Sequence, residues 1–193
     1  MGSDSLNLLV RAVDQAGAVV GAIPAEQAGL PTPCSSWDVG ALVDHVIEDL
    51  RQFTGAAKGS RPSWGSPAPH VEPADWDTAF QDGARALVEA WRSAGDLDTT
   101  VDLPIGTVPV SFVVNQQISE FAVHTWDLVT ATGLQVELDS GVARTALEWA
   151  RTALRPEFRG DEGSGKSFGP EVPVPADAPI YDRLAGFFGR NPG

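Results

Sequence analysis

Glu120 and His124 are the residues through which this chain could most readily do chemistry. They stand four apart, so on a helix their side chains lie one above the other and can grip a single divalent ion. Projected at about 100° per residue, the run SFVVNQQISEFAVHTWDLVTA (111–131) centres an apolar stripe on Val114, Ile118, Phe121, Thr125 and Leu128. Gln117, Glu120, His124 and Asp127 fall together on one flank of that stripe. His45 holds the same kind of flank position on an earlier run, whose stripe is Val39, Leu42, Val43, Val46, Leu50 and Phe53, near Asp38, Asp49 and Gln52. If the two helices pack as neighbours, two imidazoles and one carboxylate make a three-ligand set that leaves a coordination position for water or substrate. A Glu-x-x-x-His pair is also common on solvated helix faces, so the pair gains meaning only with His45. Asp49, Gln117 and Asp127 are candidates for hydrogen-bonding such ligands from behind, Asp127 foremost because it shares the flank of His124, with Asp44 a further candidate.

Four other signals compete. Cys34 precedes the second helical run, where a helix dipole could favour a thiolate nucleophile, although a lone cysteine is more often a small buried residue. His70 lies in a Pro-rich stretch and could reach a metal as a fourth ligand. Trp37 and Trp126 could line a substrate pocket or simply fill a core. Gly160 to Ser167 (GDEGSGKS) matches a phosphate-binding loop letter for letter. Such a loop must follow a buried strand and open a helix; here a helix precedes it, Phe-Gly-Pro-Glu-Val-Pro-Val-Pro follows, and Asp161 and Glu162 would repel a nucleotide. No nucleotide-binding site is expected.

The elements that must position these groups are helices. Residues 5–22 place Leu6, Leu9, Val10, Val13, Ala16 and Val20 on one stripe, with Gly17 as a weak point. The spacing predicts a second helix from Ser35 as N-cap, with Asp38 three residues on, to about Gly55. Residues 59–73 are rich in Pro, Gly and Ser and read as a long loop of the kind that covers sites. A third helix follows over 74–94 through Trp76, Phe80, Ala84, Leu87, Val88 and Trp91; TTVDLPIGTVPV (99–110) can pair as a short β-hairpin. The fourth helix, 111–131, is stopped by Gly133, and a fifth spans 138–154. The tail is irregular until PIYDRLAGFFG (179–189), which can form a short closing helix. The expectation is a mainly α, single domain over 1–193, its core within about 4–154 and its C-terminal segment, 155–193, helical or irregular.

Composition narrows the partners. The net charge is −13 and the pI about 4.4, with no local basic patch, so nucleic acid and anionic membranes are poor partners. One cysteine permits no internal disulfide and fits a reducing cytoplasm. No run reaches the roughly 18 apolar residues that span a bilayer, and no leader peptide is apparent.

The segments TPCSSWDVGALVDHV (32–46), EFAVHTWDLVTATG (120–133) and FGPEVPVPADAPIYDRLAGFFGR (168–190) resemble the DinB-like family that includes the N-terminal domain of mycothiol-dependent maleylpyruvate isomerase. The resemblance covers most of the chain in the same order, and its T-P-C-x-x-W and E-x-x-x-H-T-W-D elements are fairly specific. It implies a four-helix bundle and a divalent metal, zinc in the first instance and nickel in the second, held by His45, Glu120 and His124. It also implies a thiol, mycothiol, as co-substrate, and an electrophilic small molecule as its partner in S-transfer or isomerisation. The isomerases carry a further C-terminal domain for which 193 residues leave no room. The alternatives are a metal-dependent hydrolase with Asp127 or Asp49 as base, and a non-catalytic protein that binds a metal or small ligand.

Overall fold

The structure, a computed structural model, describes residues 2–63, 67–94, 99–103, 106–160 and 168–193. It contains α1 (Gly2–Ala22), α2 (Val39–Ala57), α3 (Trp76–Ala94), β1 (Thr100–Leu103), β2 (Gly106–Pro109), α4 (Val110–Thr132), α5 (Ser140–Ala153) and α6 (Ile180–Phe187), with three single-turn 3₁₀ segments between them. The first four helices form a bundle in which α1 packs on α3 and α4, and α2 packs on the same two. Helices α5 and α6 then pack on the outer side of α4. The result is the DinB-like four-helix bundle with a helical addition at its C-terminal end.

The apolar stripes carry this arrangement. Leu9, Val13, Ala16 and Val20 of α1 are buried with Leu42, Val43, Val46, Leu50 and Phe53 of α2 and with Trp76, Phe80, Leu87 and Trp91 of α3. Each fully buried Leu, Val or Phe is worth about 1.5–3 kcal/mol relative to exposure. Because α4 is covered on both sides, its flank is as buried as its stripe: Gln117, Ser119, His124 and Asp127 join Val114, Ile118, Phe121 and Leu128 inside. The sequence placed Gln117, His124 and Asp127 at the edge of the core; Trp91 of α3 covers Gln117, Trp37 and His45 cover His124, and Arg190 beyond α6 covers Asp127.

Local chemistry sets the ends. The N-cap of α2 is Asp38, whose carboxylate accepts from the Ala41 N–H at 2.9 Å, and Ser35, expected in that role, sits in a turn further back. The cause is the incoming chain: the N–H groups of Val39 and Gly40 donate to the carbonyls of Leu30 and Ala28 at 2.9 and 2.8 Å, so the helix begins where that segment ends. Thr32 stitches the intervening loop, its hydroxyl donating to the carbonyls of Cys34 and Trp37 and accepting from the Cys34 N–H. Gly133 caps α4 with a left-handed backbone (φ 68°), as its position predicts. The hairpin forms as expected, pairing Thr100 with Pro109 and Leu103 with Gly106. Asp139 caps α5 and is gripped by both nitrogens of the Arg11 fork at 2.7 and 2.6 Å. Among the described residues no helix is long and apolar enough to cross a membrane.

Candidate metal centre

The adjacency of α2 and α4 brings His45 opposite Glu120 and His124. One ligand atom from each lies within 4.8 Å of the others, and the two imidazole rings stand edge to face, centroids 5.0 Å apart. Nε2 of His124 is 3.4 Å from Glu120 Oε2. Two imidazoles and a carboxylate at this spacing fit a borderline divalent ion in chemistry and in reach, and no fourth His, Cys, Asp or Glu among the described residues joins them.

The supports behind the cluster are unequal. Asp127, fully buried, faces His124 Nδ1 at 3.1 Å, which assigns the proton of neutral His124 to Nδ1 and leaves the Nε2 lone pair toward Glu120. Arg190 closes on Asp127 from the far side with a two-pronged contact, Nε to Oδ1 at 3.2 Å and Nη2 to Oδ2 at 2.9 Å, while its Nη1 donates to the Phe188 carbonyl. Asp49 lies 3.5 Å from His45 Nε2. Trp37 covers His45, rings stacked 4.3 Å apart and 26° from parallel. Gln117 points elsewhere: its amide oxygen accepts from the Trp91 indole at 3.1 Å, and Gln116 lines the cavity in its place.

Burial and charge set the protonation of the metal-free cluster. Burial, reinforced by the positive charge of His124, pushes the His45 pKa down to about 4. Burial also opposes charge on His124, but its bonds to Asp127 and Glu120 outweigh it and push that pKa up to about 9. Burial raises Asp49 well above the usual carboxylate range, with the Glu120 charge adding to it.

The cluster forms one wall of a cavity of about 740 Å³. Trp37 and Cys34 reach it from the Thr32-stitched loop, and Phe112, Trp149, Phe158 and Phe168 form its apolar side. Burial raises the Cys34 pKa, and the nearby Arg190 charge opposes this without reversing it. His70 is exposed and pairs with Asp44 at 3.0 Å, away from the cluster, so it is not a fourth ligand and Asp44 orients His70 instead of a cluster histidine. Trp126 donates to Asp182 on α6 and does not line the cavity. Residues 161–167 of the phosphate-loop pattern lie outside the described residues. Sequence reasoning gave Arg190 no role, although it ends the 168–190 segment that carries the family resemblance.

Fold and cluster together define a DinB-like bundle with a His/Glu/His constellation. Residues 9–129 match the family described as the mycothiol maleylpyruvate isomerase N-terminal domain, and the chain belongs to that family. Uncharacterised proteins of two Mycobacterium tuberculosis strains, CDC 1551 / Oshkosh and ATCC 25618 / H37Rv, are each 34% identical over 189 residues, covering 97% of this chain and 98% of theirs. The crystal structure of mycothiol-dependent maleylpyruvate isomerase, and that of a histidine-to-alanine mutant of it, superpose with a TM-score of 0.65 at 16% identity, over 82% of this chain and 71% of the other.

Proposed function

We propose that the chain is a cytoplasmic, single-domain, divalent-metal-binding S-transferase or isomerase that works on a small-molecule thiol, mycothiol. The observation that carries the reading is the His45, Glu120 and His124 cluster in the wall of a cavity large enough for a small substrate. These three residues would hold the ion, zinc or nickel. A bound ion of this kind keeps a coordinating thiol in its thiolate form at neutral pH.

The residues of the chain do the positioning. Asp127, itself held by Arg190, fixes the His124 ring with Nε2 turned to Glu120. Trp37 clamps the His45 ring, and burial keeps that imidazole neutral so that a lone pair is available. Phe112 and Trp149 give the same cavity an apolar end beyond the cluster. Cys34 has its thiol pKa raised by burial, and the scheme asks no protein residue to be the nucleophile. The hydrolase alternative is left with Asp49 of its two candidate bases, because both oxygens of Asp127 are occupied by Arg190 and His124.

The test is to load the protein with zinc or nickel, add mycothiol and a panel of electrophiles, and follow thiol consumption. Acceleration that disappears in Glu120→Gln supports the reading. A loaded protein that neither binds the thiol nor speeds its conjugation refutes it.

A further inference from the structure

Resting on the thiol-transfer reading, we propose that the electrophile admitted by the cavity is an uncharged molecule with an aromatic body, and not a carboxylate. The first ground is charge. Of the carboxyl groups that line the cavity, Glu120 faces His124, Asp44 is paired with His70 and Glu48 with Arg51, and Arg190 is the only Lys or Arg among the described lining residues. The Arg190 fork is spent: Nε and Nη2 are on Asp127, and Nη1 is on the Phe188 carbonyl. Among the described lining residues no guanidinium is therefore left to grip a substrate carboxylate in the two-pronged way such groups are usually bound.

The second ground is shape. Phe112, Gln116, Glu120 and His124 lie at successive i, i+4 positions of α4, and all four line the cavity, so one stripe runs from the metal cluster through an uncharged amide to an aromatic end. That end lies two turns, about 12 Å, along the helix from Glu120. There Trp149 of α5 meets Phe112 edge to face, centroids 5.1 Å apart; a second edge-to-face pair, Phe168 with Phe188 at 5.6 Å, lines the cavity on the Arg190 side. Phe112, Trp149 and Phe168 all keep accessible surface. Edge-to-face pairs leave ring faces for a third ring to stack upon. A flat apolar body fits this end while its reactive carbon extends toward the cluster.

The test uses a matched pair of unreactive probes, 1,3-dinitrobenzene and 3,5-dinitrobenzoate, titrated by calorimetry into full-length, metal-free protein without thiol. The expected result is that the neutral ring binds about tenfold or more tighter than the carboxylate. Phe112→Ala and Trp149→Ala, checked for native circular dichroism, should weaken the neutral ring by about tenfold. Gln116→Arg, which leaves the aromatic end intact, should strengthen dinitrobenzoate binding. Equal affinity for the two probes, no binding of either, or neutral-ring binding unchanged in folded aromatic variants would overturn the proposal. Because these readings need neither metal nor thiol, a loaded protein that does no thiol chemistry yet discriminates the probes sinks the proposed function alone. Thiol chemistry as fast on maleylpyruvate as on 1-chloro-2,4-dinitrobenzene sinks the electrophile assignment alone.

Discussion

Replacing Arg190 with Ala should destabilise the protein heavily although the residue lies three positions from the C-terminal Gly193. Asp127 is 0% exposed and Arg190 8% exposed, and the two are joined by both guanidinium contacts. Removing one member of a buried pair leaves the other charge uncompensated, which costs about 3–5 kcal/mol. For a chain of this length each kcal/mol moves Tm by roughly 2–4 °C, so the loss should be about 6–20 °C. The assay is thermal unfolding by circular dichroism in the presence of a chelator, so that metal linkage does not enter. Adding Asp127→Asn to the same protein removes the stranded charge and should recover part of the loss. A shift under about 2 °C in Arg190→Ala, or a double variant no more stable than the single one, would refute the view that Arg190 exists to compensate Asp127.

The metal-free protein should be most stable near pH 6.5, the unperturbed histidine value. His45, lowered to about 4, contributes stability that is present above pH 6.5 and lost as pH falls toward 4. His124, raised to about 9, contributes stability that is present below pH 6.5 and lost as pH rises through 9. Tm measured from pH 5 to 9 should therefore fall on the alkaline side, and His124→Gln should flatten that limb; a flat wild-type limb would contradict the assignment. Gly186→Ala on α6 should destabilise by about 1–3 kcal/mol, because its methyl group would meet the Val174 side chain and the Val172 carbonyl oxygen at 2.7 Å. Urea unfolding checks this, and an unchanged midpoint would mean that α6 docks loosely.

The bundle was legible because each helix writes a stripe: Val114, Ile118, Phe121 and Leu128 were read as core and are core. The candidate cluster was legible for the same reason, since spacing alone puts Glu120 over His124 and only the adjacency of α2 and α4 was needed to add His45. What the sequence concealed came from non-local packing. The depth of Gln117 depends on Trp91 of α3, and that of Asp127 on Arg190 beyond α6. The Asp127 to Arg190 pair spans 63 residues and leaves no periodic trace. The start of α2 was misplaced because Ser35 is a good capping residue by type, while the decisive bonds came from Ala28 and Leu30, which capping rules do not consult.

The most direct test of the account is the metal content of protein purified without an affinity tag, measured by elemental analysis for wild type, His45→Ala and His124→Ala. The account predicts about one zinc or nickel ion per chain, absent from both variants while their helical circular dichroism is retained. A wild-type protein that carries no divalent metal and takes none up on addition would contradict it.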